Sequence, residues 1–255
     1  AYRGLAPPTP TPCSASQKVT FKKQIGAQGK RLKVIQIKDG TEVSFDNEVY
    51  AKSIKLEKNN ITFRDKVGLF KEQDHGKVQF TAEGGKIAIS KSFQGDIETK
   101  TAITKGIVEF TGANTDYVGT MGTETNKLEA VTFDDHEHKF NGSINSEKIE
   151  FTSGKFIPQG EVTLNGDNTT IDGTTFVLQD GNNISFGNTT FNNNITFNID
   201  ATNPAQLTLN GNVYGGGGGH VVNFVFMGEV GEVGDLPIIM NYGQLDPKLL
   251  AAINS

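Results

Sequence analysis

Cysteine and arginine are scarce in this 255-residue sequence and tryptophan is absent, and each of these facts disfavours one kind of structure or binding site. Cys13 is the only cysteine, so no disulfide can form within the chain. Arginine occurs only at Arg3, Arg31 and Arg64, which leaves few residues able to bind a phosphate or carboxylate with two parallel hydrogen bonds. Tryptophan is absent, whereas membrane β-barrels carry aromatic girdles at both interfaces. These absences disfavour a disulfide framework, an arginine-based anion site and a membrane barrel.

Long apolar runs and a strong excess of one charge are also absent. No run of about 18 apolar residues occurs, so the sequence predicts no membrane-spanning helix. Ala1-Tyr2-Arg3 is not followed by the apolar core of a signal peptide, which predicts a mature fragment or another export route. The formal net charge is only −5, with 24 basic and 29 acidic residues, and a nucleic-acid interface needs a basic stripe. We therefore expect neither a membrane-inserted chain nor a nucleic-acid partner.

Short segments that alternate apolar and polar residues run through the sequence. In each segment the β-branched or Phe positions would be buried, and the Thr, Ser or Lys positions would face water. The interval between segments is often about ten residues, which is typical of strands joined by turns in an all-β fold. The predicted strand cores are 19–21, 35–37, 43–45, 54–56, 61–63, 78–80, 87–89, 108–110, 131–133, 149–151, 162–164, 184–186, 195–197 and 207–209.

One stretch of the sequence returns about a hundred residues later. The segment IGAQGKRLKVIQIKDGTEVSFDNEVYAKSIKLE at 25–57 matches MGTETNKLEAVTFDDHEHKFNGSINSEKIEFT at 121–152. Ile25-Gly26 corresponds to Met121-Gly122, and Ile54-Lys55-Leu56 corresponds to Ile149-Glu150-Phe151. Self-similarity of this kind indicates a repeat architecture built from a duplicated structural unit.

Composition divides the chain into a leader and one repetitive domain. Residues 1–17 carry four prolines within six positions, so we predict a flexible leader that holds Cys13 as an incidental thiol. Residues 18–255 form the predicted single β-helical domain, and its part at 161–212 is rich in Asn and Gly, which suit sharp, stacked corners. We interpret Gly215–Gly219 as a turn, because no GK[ST] follows. Asp246-Pro247 predicts a short helix over Lys248–Ile253.

Three all-β architectures fit many short strands with little helix signal. The pattern favours a right-handed parallel β-helix, a solenoid in which each turn of the coil stacks on the last. A β-sandwich is the alternative, although its antiparallel strands usually have distinct hairpin turns. Short repeats of irregular loop length, rich in Asn and Gly, favour the solenoid.

The two matching segments resemble repeats in the passenger regions of rickettsial surface-antigen autotransporters. Those repeats carry an "IGT…N.L..V.F" phrase followed by "..F.G.I.A..I.F", and the two copies cover roughly a quarter of this chain. The Asn-rich segment and the glycine run before Val-Val-Asn-Phe are similar in style. The motif marks strands and turns, so the resemblance implies no individual functional residue.

The resemblance implies a function and a location. Passengers of this family form β-helical stalks on the outer face of a Gram-negative envelope and mediate host-cell adhesion or invasion. The chain would then be a piece of a passenger that binds a host cell-surface protein, with no cofactor, anchored through a C-terminal barrel that is missing from this sequence. A carbohydrate-active β-helix enzyme and an inert spacer are the alternatives.

One run of residues has the composition of a metal site, Asp134-Asp135-His136-Glu137-His138. On a strand, His136 and His138 would point the same way, with side chains about 7 Å apart, which is long for two ligands of one ion. The matching segment at 38–42 has no histidine. The sequence therefore favours a solvated turn with no metal, and His136 and His138 are the weak candidates for ligands.

The sequence also contains scattered acids and a cluster of basic residues. Asp96, Glu98, Asp116 and Glu124 are scattered acids, and glycoside hydrolysis needs two facing carboxylates. The chain shows no dense acidic cluster and no GxSxG, so we predict that it is not an enzyme. A basic patch near the start could bind a partner, although exposed lysines commonly serve solubility and guard strand edges. It comprises Lys22, Lys23, Lys30, Arg31 and Lys33, followed by Lys52, Lys55 and Lys58.

Overall fold

The fold is a coil of parallel strands. A computed structural model describes residues 17–71, 74–203, 205–215, 221–227 and 238–239. Over these ranges the secondary structure is entirely strand, turn and irregular chain. They include no helix with the length and apolarity needed to cross a membrane. The predicted leader up to residue 16 with Cys13, the glycine run after Gly215 and the residues of the predicted C-terminal helix lie outside the described residues.

The strands form three ladders, which we call the first, second and third sheets. Alternating side chains point inward from each ladder, which is why the sequence period of two builds these faces. The first sheet contains β1 (Gln17–Phe21), β3 (Thr41–Phe45), β6 (Asn60–Phe63), β11 (Gly85–Ile89), β14 (Gly106–Phe110), β16 (Leu128–Phe133), the end of β17 (Glu137–Thr152), the end of β19 (Val162–Asp172), β22 (Thr189–Phe191) and β25 (Val213–Gly215).

The other two sheets complete each turn of the coil. The second contains β2 (Ile35–Ile37), β5 (Ser53–Leu56), β10 (Lys77–Phe80), β13 (Asp96–Thr99), parts of β15, β17 and β19, then β21 (Ile184–Phe186), β24 (Leu207–Leu209) and β27 (Ile238–Ile239). The third contains β4 (Val49–Tyr50), β7 (Val67–Gly68), β12 (Ser92–Gln94), β15 (Asn114–Met121), the start of β17, β18 (Lys155–Pro158), β20 (Thr175–Leu178), β23 (Ile195–Asp200) and β26 (Val222–Met227).

Parallel pairing confirms the predicted β-helix over the alternative sandwich. All 24 ladders of the coil that the described residues form are parallel, for example β3 on β6 and β16 on β17. The solenoid has about 9 turns, and the registers of the first sheet show that one turn takes 18 residues from Val43 to Ile61 and 26 from Ile61 to Ile87. A β-sandwich pairs its strands antiparallel, so it is excluded.

The core is a column of apolar side chains enclosed by the three sheets. Its largest members are phenylalanines that stack from turn to turn, such as Phe133, whose ring centroid lies 4.6 Å from that of Phe110 and 4.7 Å from that of Phe151. A second column stacks Phe93, Tyr117 and Phe140 in the third sheet. Offset stacked rings add to the apolar burial that holds neighbouring turns together.

The two matching sequence segments occupy different sheets. Ile35 of the first copy lies in the second sheet, whereas its counterpart Val131 lies in the first sheet. Phe45 lies in the first sheet and its counterpart Phe140 in the third. Each element of the second copy is thus one sheet further along the coil. The expected duplication is one of strand-and-turn pattern, and the copies are not equivalent as whole turns.

Asparagines at the corners join one turn to the next. Asn182 donates from Nδ2 to Pro158 O at 3.2 Å and accepts from Gly160 N at 2.8 Å, one turn away. Asn165 donates to Asn145 Oδ1 at 3.3 Å, the side-chain ladder expected from the sequence. Side-chain to backbone bonds are the commoner form among these corner asparagines, and they satisfy backbone groups that the corners take out of the sheets.

One hairpin stands outside the coil. β8 (Phe70–Lys71) and β9 (Asp74–His75) pair antiparallel, and the rings of Phe70 and His75 lie 4.4 Å apart. The hairpin interrupts the passage from the third sheet to the second, between β7 and β10.

Candidate functional site

The outer faces of the solenoid are polar and hold shallow concavities. One lies on the first sheet, where small side chains such as Ser44, Thr62 and Ala88 form the floor. Its volume is about 290 Å³. Three of its five charged groups are in ion pairs, because Lys86 Nζ lies 2.6 Å from Glu109 Oε1 and Arg64 Nε lies 3.7 Å from Asp46 Oδ1. The other two are Lys18 and Glu42.

A second concavity, here called the second-sheet concavity, has a volume of about 430 Å³. It spans four consecutive turns, because Gln36, Lys55, Gln79 and Glu98 are successive register partners in the strands beside it. Three lysines, two acids and small polar groups surround it. Its lining residues are Gln36, Asp39, Lys55, Glu57, Lys58, Thr81, Ala82 and Lys100.

The acids and lysines of this concavity differ in their pairing. Glu57 pairs with Lys38 at 3.4 Å and accepts from the backbone N of Asp39 at 3.2 Å. Among the residues that the structure describes, Lys55, Lys58 and Lys100 have no carboxylate within 4.0 Å. These exposed ammonium groups can therefore pair with an external anion without losing an internal partner.

The basic patch predicted from the sequence separates into two groups. Arg31 is not available to a partner, because its guanidinium is 3% exposed and lies 2.5 Å from Asp74 Oδ2. Lys52 Nζ also contacts Asp74, at 3.1 Å. The other predicted members are exposed lysines without a carboxylate nearby in the described part of the chain, namely Lys22, Lys23, Lys30, Lys33, Lys55 and Lys58.

The four scattered acids do not form one site. Asp96 accepts from the backbone N of Thr120 at 2.8 Å, and Glu98 pairs with Lys77 at 2.8 Å, both in the second sheet. Asp116 lies in the third sheet, and Glu124 is exposed in the segment after β15. The structure thus leaves only Asp96 and Glu98 together, two residues apart on the outer face of β13, and both are already engaged by other groups.

The Asp/His corner, residues 134–138, joins β16 to β17 and differs from the geometry expected for a single strand. β17 begins at Glu137, so His136 lies in the turn with its side chain 43% exposed, whereas the His138 side chain is 2% exposed. Both imidazoles approach one atom, Asp134 Oδ1, with His136 Nδ1 at 2.9 Å and His138 Nε2 at 3.0 Å. Asp135 Oδ1 lies 3.4 Å from His136 Nδ1.

The pKa values of the two histidines are therefore shifted in opposite directions. The hydrogen bond to Asp134 and its negative charge raise the pKa of His136. Burial lowers the pKa of His138, against the effect of its hydrogen bonds to Asp134. A 2.7 Å hydrogen bond joins His138 Nδ1 to the hydroxyl of Thr115, which is buried in the preceding turn.

The next turn of the coil fixes the backbone of this corner. Lys155 N donates to His136 O at 2.9 Å. Gly154 has φ +77, and a Cβ there would lie 2.5 Å from His136 O and 2.7 Å from Asp135 C. Close packing of these two backbones fixes the path of the chain through residues 134–136.

Sequence reasoning missed Thr115 and Lys100, because each joins its group from another turn of the coil. Turn length varies between 18 and 26 residues in the first sheet, so spacing alone does not give the register. Comparisons with protein-family models, with curated proteins and with solved structures find no match to this chain.

Proposed function

We propose that this chain is a non-enzymatic scaffold from the passenger region of a cell-surface adhesin, and that a flank of the solenoid binds a host cell-surface protein. The observation that carries the proposal is an elongated coil whose polar faces are open, with binding groups displayed across several turns. The repeat resemblance to rickettsial autotransporter passengers supports a location on the outer face of a Gram-negative envelope.

The second-sheet concavity is the contact surface in this proposal. All three of its lysines, at 55, 58 and 100, have no internal ion pair in the described chain. In the first-sheet concavity two of the three cations, Lys86 and Arg64, already contact acids, and only Lys18 does not. Replacing an existing ion pair gains little, because exposed pairs contribute only about 0–1 kcal/mol and breaking one offsets making another. An acidic segment of the host protein fits the surface with unpaired cations best, through complementary charge.

The test is binding of the purified full chain to host cells, compared between two triple charge reversals. Lys55→Glu/Lys58→Glu/Lys100→Glu alters the second-sheet concavity. Lys23→Glu/Lys66→Glu/Lys139→Glu is the control, because it changes the net charge equally along the third-sheet side. We expect the first variant to bind about tenfold or more weakly and the control to bind like the wild type, with binding that weakens as salt rises.

Equal loss in both variants would show that binding depends on net charge and not on this surface. A wild-type chain that binds no host cell would contradict the adhesin proposal itself and leave the inert spacer.

The carboxylates that border the first-sheet concavity do not support the enzyme alternative. Glu42 and Glu109 border the first-sheet concavity, but their backbones are separated by three turns, roughly 14 Å at about 4.8 Å per turn. Glycosidase carboxyl groups lie about 5–9.5 Å apart, and Glu109 is turned toward Lys86. A polysaccharide screen that shows turnover, lost on Glu109→Gln, would reverse this ranking.

A further inference from the structure

The Asp/His corner gathers three metal-binding side chains, and a fourth, that of His138, contacts one of them. One ligand atom from each of Asp134, Asp135 and His136 lies within 4.8 Å of the others. His138 Nε2 adds a fourth donor at 3.0 Å from Asp134 Oδ1, from a side chain that is 2% exposed. The group therefore combines two carboxylates with two imidazoles, one of which is buried and directed into the cluster from the core.

Three contacts within the cluster are close to the ligand separations of a tetrahedral zinc site. Zinc binds His nitrogen and carboxylate oxygen at about 2.0–2.2 Å, so neighbouring ligand atoms of a tetrahedron lie about 3.3–3.4 Å apart. The observed separations are 2.9, 3.0 and 3.4 Å. An ion requires the exposed side chains of Asp135 and His136 to move, and solvent reaches the cluster because the Asp135 side chain is 73% exposed.

We propose that Asp134, Asp135, His136 and His138 form a binding site for one Zn²⁺ ion at the corner between β16 and β17. Two carboxylates would neutralise the charge of the ion, and mixed nitrogen and oxygen ligands suit zinc better than calcium, which prefers oxygen ligands alone.

Thr115 is the positioning residue for this site. Its hydroxyl can donate to His138 Nδ1 or accept from it. In the structure His138 Nε2 lies 3.0 Å from Asp134 Oδ1 and 3.3 Å from Asp134 O, so an ion would replace these hydrogen bonds. Nδ1–H would then donate to Thr115 Oγ1, and the lone pair of Nε2 would face the ion. A metal-binding histidine usually has this kind of outer partner, and losing the partner costs about 10–100-fold in metal affinity.

The backbone of the site is fixed before any ion binds. The hydrogen bond from Lys155 N to His136 O and the close approach of Gly154 hold residues 134–136 in place. The ion would then connect the turn directly to the core through His138, so that binding stabilises the folded chain.

The experiment is calorimetric titration of the full-length chain with ZnCl₂, repeated with CaCl₂, and with CoCl₂ followed by visible absorption. We expect one Zn²⁺ site per chain, no comparable Ca²⁺ binding, and the intense visible bands of four-coordinate Co²⁺. His136→Ala and Asp135→Asn change exposed residues, so folding should survive, and we expect at least a tenfold loss of Zn²⁺ affinity in each.

Three variants separate this site from other donors. His75→Ala removes an exposed histidine of the β8–β9 hairpin, and Cys13→Ser removes the thiol; both should leave Zn²⁺ affinity unchanged. Thr115→Val should weaken binding about 10–100-fold, and Thr115→Ser should restore it, because serine keeps the hydroxyl.

Failure to bind Zn²⁺, or equal affinity in wild type, His136→Ala and Asp135→Asn, would overturn the proposal. The corner would then be only a network of hydrogen bonds between Asp134 and the two histidines. This outcome is independent of the adhesin proposal, whose test uses lysines on another sheet.

Discussion

Asp74 anchors the β8–β9 hairpin to the solenoid. Its carboxylate contacts the buried guanidinium of Arg31 at 2.5 Å and Lys52 Nζ at 3.1 Å. Arg31 also donates to Leu69 O, just before the hairpin. One acid thus neutralises two cations from earlier parts of the chain, and Arg31 serves the structure of the hairpin and is not available to a binding partner.

We predict that acid releases this anchor. The hydrogen bond from Lys52, together with the charges of Arg31 and Lys52, lowers the pKa of Asp74 from its ordinary value of 3.8. A lowered pKa means that the ionised acid stabilises the fold above its unfolded pKa, and that this contribution is lost as pH falls through the folded pKa. The hairpin should therefore stay protected from proteolysis at pH 7 and down to about pH 4, and lose that protection below it.

Asp74→Asn is the matched variant for this prediction. It should expose the hairpin at pH 7, and its difference from wild type should shrink as pH falls below about 4. A difference that persists unchanged at pH 2 would show that Asp74 acts through packing and not through its charge.

At the scale of elements, a ladder of glycines lets long strands turn a corner between the third and second sheets. Gly95, Gly119 and Gly142 occupy this corner in successive turns, and Gly119 and Gly142 have φ of +149 and +140. A Cβ on Gly142 would lie 1.8 Å from Gly119 O, and one on Gly119 would lie 2.2 Å from Gly95 O. Because these backbones touch, β15 and β17 pass through the corner without a break in pairing.

Gly142→Ala should therefore be much more destabilising than an alanine at another positive-φ glycine. We expect a loss of at least about 3 kcal/mol of unfolding free energy, because both the backbone strain and the clash with Gly119 O must be relieved. Gly40→Ala is the control, since Gly40 has φ +78 and open space around it, and should cost about 1–2 kcal/mol. Urea unfolding midpoints of the two variants check this, and equal midpoints would contradict the account.

Alternation predicted most of the first two sheets and little of the third. Every strand core proposed from the sequence lies within an observed strand, including 19–21 in β1 and 207–209 in β24. Third-sheet strands were missed because several do not alternate: Phe176, Val177 and Leu178 of β20 are all buried, and β4 has only two residues. A consecutive apolar run has no period of two, and so carries no strand signal of that kind.

The candidate sites were less predictable than the strands. The run from Asp134 to His138 was visible in the sequence, but its geometry depends on β17 beginning at Glu137, one residue after His136. That boundary exposes His136 and buries His138, whereas a strand through both would place them on one face. Lys100 lies near Lys55 because β5 pairs with β10 and β10 pairs with β13. The sequence does not reveal this register, because the number of residues per turn varies.

At the scale of the whole molecule, cations are confined to the earlier turns. No lysine or arginine occurs between Lys155 and Lys248, so the turns built from 162–215 carry Asn, Thr and Ser with a few acids. Sequence order runs along the axis of a solenoid, which makes the charge distribution axial. An acidic partner is therefore attracted to the earlier turns, where the second-sheet concavity lies.

Stacking of turns is the claim on which both proposed sites depend, and pulsed electron paramagnetic resonance tests it directly. Spin labels on paired cysteines at outward positions of the first sheet, in a Cys13→Ser background, report distances along the axis. By register, Thr20 and Thr132 are five turns apart, Thr62 and Thr190 are six, and Thr20 and Thr190 are eight.

The account predicts distances of roughly 24, 29 and 38 Å for these three pairs, because each turn advances the axis by about 4.8 Å however many residues it contains. Distances that do not rise with the number of turns, such as a Thr20–Thr190 separation below about 30 Å, would contradict the stacked coil.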